Sequence, residues 1–278
     1  MYRKSINLRK IARNPYIRKI LRKFGLVKAA GNDLTIFPND IFLVSYPRSG
    51  NTWMRFLIGQ ARSKRALNFN SLELKVPDIY QNSDWEMVGA PRPRVLKSHE
   101  LYDKRYPKII YLVRDPRDVA ISYYYWRKKT GTFEKRGVYP TLEEYLYYHF
   151  SDQEFNFIGW LDHVDSWLGN SSLLGDKLFV IRYEDLEKQP KKMLTKTIEF
   201  TGIKNIEDHW IDFSLRESRI KQMRRTAKAL RPTAADGIPF VRKGYSGQWK
   251  EVFDKDMNEL FWVRFRRWME PLGYKKNN

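Results

Sequence analysis

Short apolar runs alternate with longer stretches of helical period along most of this chain, and each apolar run ends in polar residues. Ile41-Phe42-Leu43-Val44 is the first of them, continuous as in a strand buried on both faces. Trp53-Met54-Arg55-Phe56-Leu57-Ile58 follows with the spacing of a helix packed on a sheet. Further strands are predicted at 94–99, 108–113 and 177–181. A helix is expected from Pro116 or Arg117 through Trp126, and helical spacing returns at 141–150 and 160–168. It appears again through Met193, Leu194, Ile198 and Phe200 to a cap at Gly202, and lastly at 256–268 before Pro271 and Gly273. Residues 67–94 are polar and broken by prolines, so they read as an irregular connection of the kind that borders a site. Residues 127–140, basic and glycine-containing, read as a mobile flap, and 217–231 as a basic helix or loop.

Repeated strand-then-helix units predict an α/β fold with a parallel sheet flanked by helices. In such sheets the ligand lies at the carboxyl ends of the strands. Those ends are Arg48, Lys97 to His99, Arg114 and Tyr183, so one rule gathers the polar groups into one crevice. The first turn, Tyr46-Pro47-Arg48-Ser49-Gly50-Asn51-Thr52-Trp53, links strand to helix. Pro47 and Gly50 permit the turn, Asn51 or Thr52 can cap the helix, and backbone N–H groups at its start would face an anion. The spacing is not that of the triphosphate-binding loop, which needs a second glycine and a following lysine.

Charge sharpens this picture. The formal charge is +20, and residues 1–30 hold ten of the 52 Lys and Arg and no acid, so half of the excess lies there. With Ile6, Leu8, Ile11, Ile17, Ile20, Leu21, Phe24 and Leu26, this segment partly matches a basic amphipathic helix, and peripheral membrane contact is one expectation for it. Residues 31–278 are read as one domain, with nine Trp, sixteen Phe and seventeen Tyr to fill its core. The remaining positive charge favours polyanionic ligands, but no module for specific nucleic-acid recognition is present. There are no cysteines, which excludes disulfides and cysteine nucleophiles. No run reaches the ~18 apolar residues of a membrane span and no secretory leader is read, so a cytoplasmic location is expected.

Five blocks together resemble the sulfotransferases that use 3′-phosphoadenosine 5′-phosphosulfate (PAPS). They are Tyr46 to Trp53, Lys97-Ser98-His99, Arg114 to Tyr124, Tyr183-Glu184-Asp185-Leu186, and Arg242-Lys243-Gly244-Tyr245-Ser246-Gly247-Gln248-Trp249-Lys250. The resemblance implies a P-loop-NTPase-like sulfotransferase fold and sulfuryl transfer to a hydroxyl or amine, leaving adenosine 3′,5′-bisphosphate and needing no metal. It implies that Arg48, Ser49, Gly50, Asn51, Thr52 and Trp53 hold the 5′-phosphosulfate. Arg114 and Ser122, with Arg242, Lys243 and Gly244, would hold the 3′-phosphate, and Tyr183 would lie beside the adenine. His99 would be the general base, Lys97 would offset charge on the sulfuryl group, and Arg48 would stabilise the leaving oxygen. Arg48 departs from the lysine of many members, and arginine stays charged where lysine could give up a proton. His149, His163 and His209 fall outside the predicted strand ends and read as structural. The acceptor is left open among a small molecule, a lipid headgroup and a carbohydrate, and no dimer is read. The rival readings are a nucleotide kinase or triphosphatase, from the strand-loop-helix order, and a noncatalytic polyanion- or membrane-binding module, from the charge.

Overall fold

The computed structural model describes residues 34–150, 159–230 and 242–277. The basic segment 1–30, with its expected membrane contact, lies outside the described residues. Four parallel strands form one sheet: β1 (Ile41–Ser45), β2 (Val95–Ser98), β3 (Ile109–Val113) and β4 (Leu178–Arg182), in the order β2-β1-β3-β4. Ile41 stands against Val95, Phe42 against Ile109, and Ile109 against Leu178. The chain leaves β1 to one side for β2, then crosses to the other side for β3. The strand order therefore reverses at the carboxyl end of β1, where a crevice opens.

Period two divides each strand between two apolar layers. Phe42, Val44, Tyr111 and Val113 join Trp160, Val164, Trp167, Phe261 and Phe265 in one. Ile41, Leu43, Ile110 and Leu112 join Met54, Leu57, Ile58, Leu194 and Ile198 in the other. The covering helices are α1 (Asn51–Ser63), α2 (Phe69–Glu73), α3 (Asp84–Val88), α4 (Pro116–Lys129) and α5 (Trp160–Leu168). Beyond β4 come α6 (Tyr183–Lys188), α7 (Pro190–Thr201), α8 (Asp208–Glu217), α9 (Ile220–Leu230) and α10 (Lys255–Met269). In α5 the buried residues Trp160, His163, Val164, Trp167 and Leu168 follow the helical repeat and turn one face to the sheet. Among the described residues no helix is long and apolar enough to cross a membrane.

Several local expectations change. Neither Asn51 nor Thr52 caps α1; Gly50 is the N-cap, in the left-handed region, with no side-chain cap. The connection 67–94 contains α2 and α3, each started by a capping box at Asn68 or Ser83. Five residues make little more than one turn, too few for an apolar repeat to register. The expected flap is largely ordered as well, since α4 continues through Lys129 and a 3₁₀ turn spans Glu134–Arg136. The helical pattern at 141–150 becomes a short α-turn, Leu142–Glu144, passing into a π-helical turn, Tyr145–His149.

Candidate active site

The loop leaving β1 is held in an unusual backbone shape. Gly50 has φ 98°, a region open mainly to glycine, and a Cβ there would lie 2.6 Å from Cδ2 of Tyr183. Arg48 also has a positive φ, 73°. Holding a non-glycine residue there costs about 1–3 kcal/mol, a strain that collects at functional sites. Asn51 Nδ2 donates to the Leu43 carbonyl at 3.0 Å and to Ser45 Oγ at 3.2 Å, fixing the start of α1 to the end of β1. With no acid in the first turn of α1, its leading N–H groups and helix dipole stay suited to an anion. Ser49 is the exception in this loop: its side chain is fully buried away from the cavity and its N–H donates to the Tyr46 carbonyl at 3.3 Å.

Three guanidinium groups converge beside this loop. Arg48 Nε donates to Ser122 Oγ on α4 at 3.1 Å. Arg114, just past β3, lies over the Tyr183 ring at 4.2 Å and donates from Nη2 to the Tyr245 carbonyl at 2.9 Å. Its Nη2 is 3.5 Å from Asp118, while its buried Nε has no hydrogen-bond partner. Arg242 lies over the Tyr125 ring at 4.3 Å. Burial, then repulsion from Arg114 and Arg242, lowers the Arg48 pKa to about 10, so it stays charged at neutral pH. Cations that oppose one another in this way are relieved by a multiply charged anion.

The loop 242–250 is stapled over this group. The Asp118 carboxylate accepts from the N–H of Gly247 at 2.7 Å and of Trp249 at 3.1 Å. Tyr183 Oη donates to the Gly244 carbonyl at 3.1 Å, and Lys243 pairs with Glu251. Asp115 does not face Arg114; it pairs with Arg117 at 2.7 Å.

His99 and Lys97 stand over β2. His99 Nδ1 lies 2.6 Å from the Ser45 carbonyl, which can only accept, so Nδ1 carries the proton and Nε2 keeps its lone pair. The Tyr80 ring stacks on the imidazole, 6.0 Å between centroids at 14°. Burial, then the charge of Lys97, lowers the His99 pKa to about 3, so the ring is neutral across the physiological range. Lys97 is not a solvated strand-end lysine, because its Nζ donates to buried Asp78 at 2.6 Å.

A cavity of about 1330 Å³ joins these groups: Arg48, Gly50, Asn51, Thr52, Trp53, Lys97, His99, Arg114, Ser122, Tyr183, Arg242, Lys243 and Gly244 all line it. Within the basic stretch 217–231, α9 brings Met223, Arg224 and Lys228 to the wall, and Arg219, just before α9, lines it too. Sequence reasoning missed Asp78 and Tyr80, since one acid and one aromatic in an irregular connection carry no periodic signal. His163 lies in the core, with Nδ1 hydrogen-bonded to Tyr111 Oη at 2.9 Å. His209 is largely exposed beside Glu207. Among the described residues no cluster of three or more His, Asp or Glu is placed to hold a metal ion.

The chain resembles rat (Rattus norvegicus) Sulfotransferase 1A1, 26% identical over 269 residues, with 87% of this chain and 89% of that protein aligned. It resembles Sulfotransferase 1E1 of Cavia porcellus at 27% identity, with 84% of each aligned. Among solved structures, the mouse sulfotransferase SULT7A1 complexed with PAP has the same fold, with TM-score 0.65, 24% identity and coverage of 86% of this chain and 87% of that one. The model of the sulfotransferase domain matches residues 38–273, which include all four strands and every wall of the cavity. By this match the chain belongs to the sulfotransferase domain family.

Proposed function

We propose that this sulfotransferase moves the sulfuryl group of PAPS to a hydroxyl or amine, with His99 as general base and Arg48, Arg114 and Arg242 binding the donor. The reaction class and donor follow from the family, and the residue roles rest on geometry. The observation that carries them is the convergence of Arg48, Arg114 and His99 from three strand ends on one cavity. The fit is chemical too. Arg114 brings a buried, unpartnered N–H, and the start of α1 supplies backbone donors without an opposing acid.

Sheet order divides the labour. Arg114, Tyr183 and the 242–250 loop lie over β3 and β4, where the 3′-phosphate and adenosine would be held. Planar guanidinium forks suit phosphate oxygens, and Tyr183 offers a ring beside the base. Lys97 and His99 lie over β2, on the side left for the acceptor. PAPS, when bound, supplies an activated sulfuryl group whose departure leaves adenosine 3′,5′-bisphosphate.

His99 Nε2 would take the acceptor proton as the acceptor atom bonds to sulfur. The bond from sulfur to the bridging oxygen breaks, and its electron pair stays on the phosphate. Arg48, charged throughout, would stabilise that oxygen without donating a proton to it. A base with a pKa near 3 is weak, but the negative charge of a phosphosulfate bound nearby would raise it. Lys97 would balance charge on the equatorial sulfuryl oxygens. The acceptor is proposed to be a small molecule that enters over β2, between the 67–93 connection and the end of α4.

Incubation with sulfur-labelled PAPS and a panel of phenols, alcohols, amines and saccharides is expected to give a labelled product and one equivalent of adenosine 3′,5′-bisphosphate. Release of the nucleotide with the label recovered only as inorganic sulfate would count against acceptor transfer.

A further inference from the structure

The crossover between α2 and α3 is laid along the free edge of β2. Lys97 N–H donates to the Pro77 carbonyl at 2.9 Å and Ile79 N–H donates to the Lys97 carbonyl at 3.2 Å, so 77–79 extend the sheet by one short bridge. This bridge brings two side chains against the two groups that stand over β2. Asp78 meets Lys97, and Tyr80 meets His99, its Oη accepting from the His99 N–H at 2.9 Å. Lys97, in β2, and His99, the first residue past it, both line the cavity.

We infer that Asp78 is a positioning residue for the transfer: its carboxylate holds the Lys97 ammonium in the cavity beside His99, where the sulfuryl group passes. The inference rests on the reading of Lys97 and His99 proposed above. Asp78 is itself immobilised. Its side chain is 1% exposed, Oδ1 accepts from the Tyr80 N–H at 3.0 Å, and Oδ2 accepts from Gln81 Nε2 at 3.1 Å as well as from Lys97. Its own N–H donates to Glu73 at 2.8 Å. A carboxylate held by Tyr80 and Gln81, on a backbone tied to Glu73, fixes the Lys97 ammonium that it binds.

Charge explains why this matters. Burial pushes the Lys97 ammonium toward its neutral form, and Asp78 opposes that. The charged groups around Lys97 are Asp78 from the bridge, Glu73 from α2 and Arg55 from α1, with neutral His99 just past the end of β2. Glu73 is engaged by Arg55 at 2.7 Å, which leaves Asp78 as the direct counter-ion of Lys97. Without Asp78, the buried amine would lose both its aim and part of its charge, with Arg55 still repelling it.

Asp78→Asn keeps the shape and removes the charge. Its kcat is expected to fall about 10- to 100-fold, the scale of a misplaced reacting group. Affinity for adenosine 3′,5′-bisphosphate should stay within about twofold, because the groups proposed to hold that nucleotide lie over β1, β3 and β4 rather than β2. The basic limb of kcat should move to lower pH as Lys97 deprotonates earlier, a change that loosened packing does not produce. Asp78→Asn combined with Lys97→Met should be no slower than Lys97→Met alone, since Asp78 acts through Lys97. Asp78→Glu should recover part of the lost kcat. A kcat within twofold of the parent, or losses that multiply in the double variant, would overturn the inference. Should Asp78→Asn fail to fold by circular dichroism, Asp78→Glu decides, alone and combined with Lys97→Met: full activity in Asp78→Glu, or a loss that persists undiminished in the Lys97→Met background, rejects it. Absence of nucleotide binding in the parent defeats the donor reading and this inference together. Normal binding with unaltered turnover in the variants defeats this inference alone.

Discussion

Replacing His99 by alanine is expected to lower turnover by about 10²- to 10⁴-fold, the usual contribution of a positioned base. Affinity for adenosine 3′,5′-bisphosphate should change little, because His99 stands over β2 and the guanidinium groups over β1 and β3. The hydrogen bond from Nδ1 to the Ser45 carbonyl is the reason for the size of the effect. It fixes the tautomer and leaves Nε2 as an acceptor in the cavity. The pH profile carries a second mark. Burial and Lys97 hold the free-enzyme His99 pKa near 3, below its unfolded value near 6.5. The base form is therefore already present through pH 5–7, and kcat/KM should show no histidine limb near 6.5. The limb in kcat, which reports the donor complex, should lie higher than that in kcat/KM. Steady-state kinetics on both proteins checks this; equal turnover in His99→Ala rejects His99 as the base.

Arg114→Ala is expected to weaken adenosine 3′,5′-bisphosphate binding by about 10- to 100-fold, from loss of charge-assisted hydrogen bonds worth about 1.5–3 kcal/mol. Arg114 touches four parts of the proposed nucleotide side: the Arg48 carbonyl, the Tyr183 ring, the Tyr245 carbonyl and Asp118. Its removal also relieves Arg48 of a repulsive neighbour, which offsets a part of the loss. Asp118 keeps the N–H groups of Gly247 and Trp249, so the 242–250 loop should stay attached. Calorimetric titration with a thermal melt on the same sample separates lost contacts from lost fold. Unchanged affinity in a folded variant excludes Arg114 from the 3′-phosphate site.

The sheet was legible because strands buried on both faces write continuous apolar runs, as in Ile41 to Val44 and Ile109 to Val113. The helix α5 was legible to the residue, since Trp160, Val164 and Trp167 mark one face. The short helices α2 and α3 were not, because capping residues rather than an apolar repeat define them. At the site, strand-end polarity pointed to Arg48, Lys97, His99, Arg114 and Tyr183. What it could not reveal is partnership: that Asp78 rather than solvent meets Lys97, that Ser122 bonds to Arg48, or that Asp118 staples a loop 129 residues away. Each joins segments distant in sequence and depends on the finished fold. Ser49 sits within the loop motif, between the positive-φ residues Arg48 and Gly50, yet its side chain is buried and does not line the cavity.

The central claim is that these strand ends enclose a doubly phosphorylated adenosine. Calorimetry in the presence of EDTA, comparing adenosine 3′,5′-bisphosphate with adenosine 5′-monophosphate, tests it most directly. Saturable 1:1 binding of the bisphosphate, at least tenfold tighter than the monophosphate, is the predicted result. Equal affinity for the two nucleotides, or binding seen only with ATP and magnesium, would contradict it.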